Sequence, residues 1–164
     1  MAIIHLMCGS TGAGKSTYAI KLASDENLIR FTLDEWMQTL FGSDWPEDIT
    51  FDWAMERVNR CEEQLWKVVT ELLRQDQSVV LEIAMSTRAL RDKQYARAKA
   101  SGVETRLHYL DIDSEIRRER VRLRNQQQGE SYAMQVTDGM FDFVEDMFEA
   151  PSAEELSGAV VVRE

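Results

Sequence analysis

Residues 9–16 of this 164-residue chain read Gly-Ser-Thr-Gly-Ala-Gly-Lys-Ser and match the pattern G-x-x-x-x-G-K-[ST]. Glycines in such a loop let successive backbone N–H groups point inward at an anion. Lys15 is then placed to reach the β- and γ-phosphates of a nucleotide, and the Ser16 hydroxyl to ligate Mg²⁺. A helix that starts here adds the positive end of its dipole. The loop therefore predicts a binding site for ATP and Mg²⁺.

The carboxylate of Asp34 could act on a hydroxyl group. Asp34 should lie in the first turn of a helix capped by Thr32, at the carboxyl end of the second predicted strand. Ligand-binding residues of open α/β sheets gather at such ends, and a carboxylate beside the γ-phosphate can accept the proton of an attacking hydroxyl group. The alternative is an acid that only complements the helix dipole. Thr32 and Glu35 also have the spacing of a capping box.

Glu82 interrupts an otherwise apolar predicted strand at residues 78–84. A charge there costs free energy unless it points toward a cation or a partner, so Glu82 could hold the water shell of Mg²⁺. Asp111, which ends another apolar run, is a rival for this role. We favour Glu82 because the third strand should lie beside the first. A solvated or capping role for Glu82 is the alternative.

Five arginines lie on one predicted helix, residues 114–127. Positions three or four apart share a helix face, so Arg117, Arg120 and Arg124 form one row and Arg118 and Arg122 another. One row could face the phosphates and stabilise developing negative charge while the other stays in water. The alternative is a solvated basic helix paired with its own glutamates.

The rest of the chain alternates predicted strands and helices. Short apolar runs predict strands at residues 3–8, 27–32, 78–84, 104–112 and 159–162. Helical spacing predicts helices at 16–24, 34–41, 52–74, 87–100, 114–127 and 136–149, and a short capped helix near 152–155. This order is typical of a parallel sheet with helices on both faces. We therefore expect an α/β fold, the three-layer nucleotide-kinase-like P-loop NTPase fold with five parallel strands, in a single domain over residues 1–164.

The formal net charge of −10 is unevenly distributed along the chain. Residues 88–124 contain 11 lysines and arginines against 6 acids, a local charge of +5, so that the remainder carries −15. Proteins that bind a nucleic-acid backbone usually present a basic face on a positively charged chain. The distribution argues against a long polynucleotide partner and suits a compact anion such as the phosphates of ATP.

Several reactive side chains are expected to be structural. Cys8 and Cys61 fall on apolar positions and lack the spacing of a metal site. His5 and His108 lie in predicted strands without partner residues that suggest catalysis. No apolar run approaches the roughly 18 residues of a membrane span, and the chain enters its first strand directly. We therefore expect a cytoplasmic protein without a signal peptide.

The chain resembles the small P-loop kinases of the AAA_33 type, which are related to the kinase domain of polynucleotide kinase, chloramphenicol phosphotransferase and the zeta toxins. Residues 9–17 match the family's loop, residues 32–35 its second-strand acid motif and residues 79–88 its third strand. Residues 120–125 are similar to its lid helix, and residues 136–151 to its C-terminal segment. The similarity spans nearly the whole chain, although only the loop is a highly specific motif.

The resemblance implies roles for individual residues. Asp34 matches the family's general base, Arg120 and Arg124 match its lid arginines, and Lys15 and Ser16 match its phosphate and Mg²⁺ residues. The lid would cover residues 114–130. Nucleotide binding falls to the whole loop, namely Gly9, Ser10, Thr11, Gly12, Ala13, Gly14, Lys15, Ser16 and Thr17.

Two positions depart from the family's pattern. Met37 stands three residues after the candidate base, where polynucleotide kinase has an arginine, and this departure argues against nucleic acid as the substrate. Glu82 stands where the family usually has the shorter Asp.

We therefore predict an ATP- and Mg²⁺-dependent kinase that moves the γ-phosphate to a hydroxyl group of a small molecule. Lys15, Asp34, Arg120 and Arg124 would be catalytic, and Glu82 with the loop serine would hold the metal. The alternatives are a nucleotide-binding regulatory ATPase and a 5′-hydroxyl polynucleotide kinase. The acidic, tryptophan-containing segment 43–53 could form part of the acceptor site and would suit a cationic or polyhydroxylated acceptor.

Overall fold

The computed structural model of the protein describes residues 1–46, 50–127 and 135–164. Within these ranges, five strands form one parallel sheet in the order β2-β3-β1-β4-β5. They are β1 (Ile3–Cys8), β2 (Ile29–Thr32), β3 (Val79–Glu82), β4 (Glu104–Leu110) and β5 (Val160–Val162). The predicted five-stranded parallel sheet is confirmed, and the third strand lies beside the first as expected.

The helices connect successive strands. They are α1 (Lys15–Glu26), α2 (Leu33–Phe41), α3 (Phe51–Arg74), α4 (Arg88–Ala100), α5 (Ser114–Gln127) and α6 (Asp138–Met147). A short 3-10 helix, Gly42–Asp44, follows α2. Among the helices of the described ranges, none combines the length and the apolar composition that a membrane crossing requires.

Alternate residues of the central strands face two separate helical layers. On one face, Leu6 of β1 and Leu81 of β3 belong to a core cluster that includes Leu65 of α3. On the other face, Met7 of β1 packs in a second cluster with Ala19 of α1. Strands that are buried on both faces need apolar residues at nearly every position, which explains the continuous apolar runs in the sequence. The result is a three-layer α/β fold, as predicted.

The start of α2 differs from the prediction in one detail. Thr32 occupies the N-cap position, but its side chain makes no capping hydrogen bond. Glu35 instead accepts a hydrogen bond from Arg30, with Nη1 and Oε1 2.9 Å apart. The predicted capping box is therefore wrong, because an arginine of the preceding strand competes for the glutamate.

The short helix expected near residues 152–155 is also wrong, although its capping bonds form. The backbone N–H of Ser152 donates to Glu155 Oε2 at 2.8 Å, and the N–H of Glu155 donates to Ser152 Oγ at 3.3 Å. The segment forms turns instead of a helix. Glu155 also binds the buried Arg91 of α4, with Nε and Oε1 2.7 Å apart, so this turn is tied to the body of the protein by its ion pair.

The cysteines and histidines are buried, in agreement with the structural roles expected for them. Cys8 and Cys61 lie in the same core cluster, and burial raises the pKa of the Cys8 thiol to about 11. His5 Nδ1 lies 2.9 Å from His108 Nε2. His108 Nδ1 lies 2.9 Å from the hydroxyl of Tyr18 on α1. These three side chains form a hydrogen-bonded chain between β1, β4 and α1, in which both histidines are buried and Tyr18 is partly buried.

Candidate active site

The glycine-rich loop lies between the carboxyl end of β1 and the first turn of α1. Gly9, Gly12 and Gly14 all have positive φ, at 155°, 79° and 88°. A Cβ atom at Gly12 would lie 2.5 Å from the carbonyl oxygen of Arg117 on α5, so this position also needs glycine for space. The loop thus has the backbone conformation that its sequence pattern requires, and α5 packs directly against it.

Lys15 is the first residue of α1 and folds back over the loop. Its Nζ donates to the carbonyl oxygens of Gly9 at 2.7 Å and of Ser10 at 3.2 Å. Burial lowers the pKa of Lys15, and the nearby carboxylate of Asp34 opposes that shift. The ammonium group of Lys15 is therefore held by the carbonyl oxygens of its own loop.

Ser16 and Glu82 are in direct contact because β1 and β3 are neighbours in the sheet. Ser16 Oγ donates to Glu82 Oε2 at 2.7 Å, and the side chain of Glu82 is 7% exposed. The other oxygen, Oε1, accepts from Arg30 Nε at 2.5 Å. A hydroxyl and a carboxylate oxygen next to a phosphate-binding loop are suitable donors for Mg²⁺, which prefers oxygen ligands and keeps several waters.

Asp111, the rival carboxylate, lies just beyond β4 and has a different partner. Arg163 Nε donates to Asp111 Oδ2 at 2.9 Å. The structure therefore brings Glu82, and not Asp111, to the hydroxyl of Ser16.

Asp34 lies in the first turn of α2 and is exposed, beside the carboxyl end of β2. Met37, one turn later, is partly buried against the main core cluster. Thr17, the last residue of the predicted loop motif, is exposed on α1.

The arginine row that contains Arg117, Arg120 and Arg124 faces the loop only in part. Arg120 Nη1 donates to the carbonyl oxygen of Ala13 at 3.3 Å, and its Nη2 pairs with the carboxylate of Glu164. Arg117 is buried and donates to the carbonyl oxygen of Ile112 at 2.8 Å, so it holds backbone in place. Arg124 Nε is buried, and the described residues supply it with no hydrogen-bond partner.

The second row, Arg118 and Arg122, contacts acids of α6 and stays partly exposed to water. Arg118 pairs with Asp142 at 2.5 Å, and both arginines lie 3.4 Å from Asp138 Oδ1. Among the described residues, the acids that pair with Arg118 and Arg122 belong to α6, and not to α5 as the alternative interpretation expected. The positive charge of this row is balanced across two helices.

The sequence profile of the AAA_33 family, described as an AAA domain, matches residues 4–151. This range includes the loop, both carboxylates and the arginine helix. The chain belongs to the AAA_33 family. The resemblance identified from the sequence is confirmed. No curated protein sequence matches the chain.

Solved structures similar to this AAA_33 protein include proteins named as kinases and one that was solved with a nucleotide. A protein of Chloroflexus aurantiacus j-10-fl, provisionally assigned as a kinase, gives a TM-score of 0.77 at 14% identity, over 99% of this chain and 88% of its own. Kti12 of Chaetomium thermophilum, solved with ADP-AlF3, gives a TM-score of 0.72 at 16% identity, over 98% of this chain and 88% of its own. A gluconokinase of Sinorhizobium meliloti 1021 gives a TM-score of 0.58 at 16% identity, over 99% of this chain and 82% of its own. At these identities the likeness shows a shared P-loop kinase-like fold.

A cavity of about 170 Å³ opens beside the loop of this AAA_33 protein. Its wall consists of loop residues 9–11 with Lys15, of residues 83–86 after β3, and of Val144 and Phe148 at the end of α6. A larger cavity of about 660 Å³ lies between α3 and α4 and contains none of the predicted site residues. The small cavity therefore joins the phosphate loop to the C-terminal helix.

Two residues of the site were missed by the sequence reasoning. Arg30 binds Glu82, and Glu145 of α6 accepts a hydrogen bond from Ser10 Oγ at 3.1 Å. Arg30 could have been found from the sequence, because it is a charged residue inside a short predicted strand, and the same feature singled out Glu82. Glu145 lies in an ordinary amphipathic helix, and its sequence context gives no such signal.

Proposed function

We propose that this AAA_33 protein is an ATP- and Mg²⁺-dependent phosphotransferase that moves the γ-phosphoryl group to a hydroxyl group of a small molecule. The observation that carries the proposal is the 2.7 Å contact between Ser16 and Glu82, formed next to the lysine of the loop. The hydroxyl and the ammonium group come from the start of α1 and the carboxylate comes from the end of β3, and the three groups meet at one end of the sheet. That end is where open α/β sheets bind their ligands.

The loop would hold the phosphates through its inward-facing N–H groups and through Lys15. Its ammonium group, now bound to two loop carbonyls, would donate to the β- and γ-phosphate oxygens. Ser16 Oγ and Glu82 would hold Mg²⁺ and its water shell. When bound, Mg²⁺ supplies charge neutralisation on the phosphate oxygens.

Asp34 would take the proton of the acceptor. The hydroxyl oxygen forms the new bond to the γ-phosphorus, the bond between that phosphorus and the β,γ-bridging oxygen breaks, and the hydroxyl proton moves to the Asp34 carboxylate. Its place at the carboxyl end of β2, near Lys15, supports this role. ADP leaves with the electron pair of the broken bond.

Arg120 and Arg124 would stabilise charge on the transferring group. Arg120 already contacts the carbonyl oxygen of Ala13 in the loop, which supports this role, and Arg124 lies one turn further along α5. The proposed lid covers residues 114–130, of which 128–130 lie outside the described residues. In the same way, residues 47–49 of the proposed acceptor segment 43–53 lie outside them.

A small acceptor is favoured over a polynucleotide by the charge of the chain. The charge of −15 outside residues 88–124 would repel a nucleic-acid backbone. A gluconokinase with the same fold acts, by its name, on a small polyhydroxylated compound. A 5′-hydroxyl polynucleotide kinase and a regulatory ATPase are the alternatives.

The test is ADP release from Mg-ATP across a panel of sugars and polyols, aminoglycoside- and nucleoside-like compounds and a 5′-hydroxyl oligonucleotide. One small compound should stimulate ADP release, and Asp34→Asn should lower the stimulated turnover about 10²-fold or more with ATP affinity unchanged. Asp25→Asn, an exposed acid at the end of α1, is the matched control. A slow rate that no compound raises and that Asp34→Asn leaves unchanged would favour the regulatory ATPase. Stimulation by the oligonucleotide alone would favour the polynucleotide kinase.

A further inference from the structure

The guanidinium of Arg30 bridges two carboxylates at the edge of the candidate metal site. Its Nε donates to Glu82 Oε1 at 2.5 Å, and its Nη1 donates to Glu35 Oε1 at 2.9 Å. The side chain of Arg30 is 17% exposed, so the bridge is largely shielded from water. Neither the loop motif nor the family resemblance assigns a role to this arginine.

The strand register explains why Arg30 reaches Glu82. In the parallel pair of β2 and β3, Arg30 lies opposite Val80, and Thr32 lies opposite Glu82. Residues two apart on a strand share a face, so Arg30 and Glu82 are diagonal neighbours on the same face of the sheet. The long arginine side chain runs along the strand to close that distance.

We propose that Arg30 is a positioning residue that orients Glu82 toward Mg²⁺, an inference that rests on the proposed function of Glu82. The carboxylate of Glu82 has two oxygens with two different partners. Arg30 holds Oε1, which leaves Oε2 directed at the hydroxyl of Ser16. Partners that hold a metal-binding carboxylate by its second oxygen fix its orientation and support metal affinity.

The charges around Arg30 are compatible with a bound cation. Arg30, Glu35 and Glu82 together carry a formal charge of −1, so the bridge retains a net attraction for Mg²⁺. Glu35 is mostly exposed and anchors the far end of the guanidinium. The second bond therefore keeps Arg30 in the orientation that presents Nε to Glu82.

Positioning and charge predict opposite effects when Arg30 is removed. If Arg30 only places a positive charge near the site, Arg30→Gln should tighten metal binding, because a repulsion is lost. If Arg30 orients Glu82, the same change should weaken metal binding. The sign of the change in metal affinity therefore separates the two roles.

The experiment titrates Mn²⁺ into the full-length protein with one equivalent of ADP and follows free Mn²⁺ by electron paramagnetic resonance. Arg30→Gln should raise the dissociation constant for Mn²⁺ about 10-fold or more, the usual effect of losing such a partner. Arg30→Lys, which keeps the charge and a single donor, should recover part of that loss. Arg74→Gln is the charge-matched control, since Arg74 forms an exposed pair with Glu71 at the carboxyl end of α3.

Affinity for a fluorescent ADP analogue in EDTA, together with circular dichroism, checks each variant for an intact loop and fold. Should Arg30→Gln fail to fold, Glu35→Gln replaces it and should also weaken Mn²⁺ binding, by a smaller factor. Unchanged or tighter Mn²⁺ binding in the folded variant would overturn the role of Arg30. If Glu82→Gln also left Mn²⁺ binding unchanged, the metal role in the proposed function would fail as well. If Glu82→Gln weakened Mn²⁺ binding but Arg30→Gln did not, the proposed function would stand and only the inference about Arg30 would be rejected.

Discussion

Arg117 and Glu145 form a two-pronged ion pair, in which both nitrogen–oxygen distances are 2.7 Å. The pair joins α5 to α6 beside the phosphate loop, and Ser10 of the loop donates to the same carboxylate. The side chain of Arg117 is only 6% exposed, so its charge depends on this partner. The hydrogen bonds from Arg117 are also the main reason why the pKa of Glu145 is lowered.

Replacing Glu145 should therefore destabilise the protein. Glu145→Gln should lower the free energy of unfolding by about 2 kcal/mol, the usual order for hydrogen bonds to a charged group. Because the pKa of Glu145 is lowered on folding, its contribution is present above about pH 4.5 and is lost as the pH falls below that value. Urea denaturation at pH 7 measures the change. Asp146→Asn, an exposed acid on the same helix, is the control, and equal stability of the two variants would contradict the account.

Gly12 should tolerate no side chain. Gly12→Ala introduces a Cβ atom 2.5 Å from the carbonyl oxygen of Arg117, and it also places alanine at a φ of 79°. Gly102→Ala is a matched control, because Gly102 has a φ of 71° but open space around its Cβ position. In both variants, an alanine at positive φ costs roughly 1 kcal/mol. Only Gly12→Ala also displaces α5 from the loop.

Affinity for a fluorescent ADP analogue and thermal unfolding measure the two effects. Gly12→Ala should lose nucleotide binding and unfold at a lower temperature than Gly102→Ala, which should bind normally. Equal nucleotide affinity in the two variants would show that the contact between the loop and α5 is not needed for binding.

The buried pair of His5 and His108 should make stability depend on pH. Burial lowers the pKa of both imidazoles, that of His108 to about 4, from an ordinary value of 6.5. Since the folded protein binds these protons less readily than the unfolded chain, stability is complete above about pH 6.5. It should be lost as the pH falls toward 4, by up to about 3 kcal/mol.

Urea denaturation between pH 7 and pH 4 tests this dependence. His108→Gln should be less stable than the parent at pH 7, since the bonds to His5 and Tyr18 are disturbed. Its stability should fall less steeply with acid, because one of the titrating groups is gone. An identical slope in the parent and the variant would rule out the histidine pair as the cause.

The sheet and the loop could be predicted because their signals are local. A strand that is buried on both faces shows as a short apolar run of consecutive residues. The loop shows as a motif of eight residues that includes Gly9, Lys15 and Ser16. The contact between Ser16 and Glu82 followed from one further step, the expectation that the third strand lies beside the first. That neighbour relation is confirmed.

The partners that hold the site together could not be predicted, because they are distant in the sequence. Arg30 and Glu82 are 52 positions apart, and Arg117 and Glu145 are 28 apart. Local patterns can also compete with such partners. Glu35 has the spacing for a capping box with Thr32, but it binds Arg30, and only the three-dimensional placement of β2 decides between the two.

The most direct test of the central claim follows the γ-phosphate of labelled ATP in the presence of Mg²⁺ and the stimulating compound. We expect the label in an organic phosphate ester of that compound, formed in proportion to ADP. Lys15→Met should lower ester formation by about 10²- to 10³-fold, the usual cost of losing a charge-stabilising donor. Recovery of the label only as inorganic phosphate, at the same rate with and without the compound, would contradict phosphoryl transfer to a hydroxyl group.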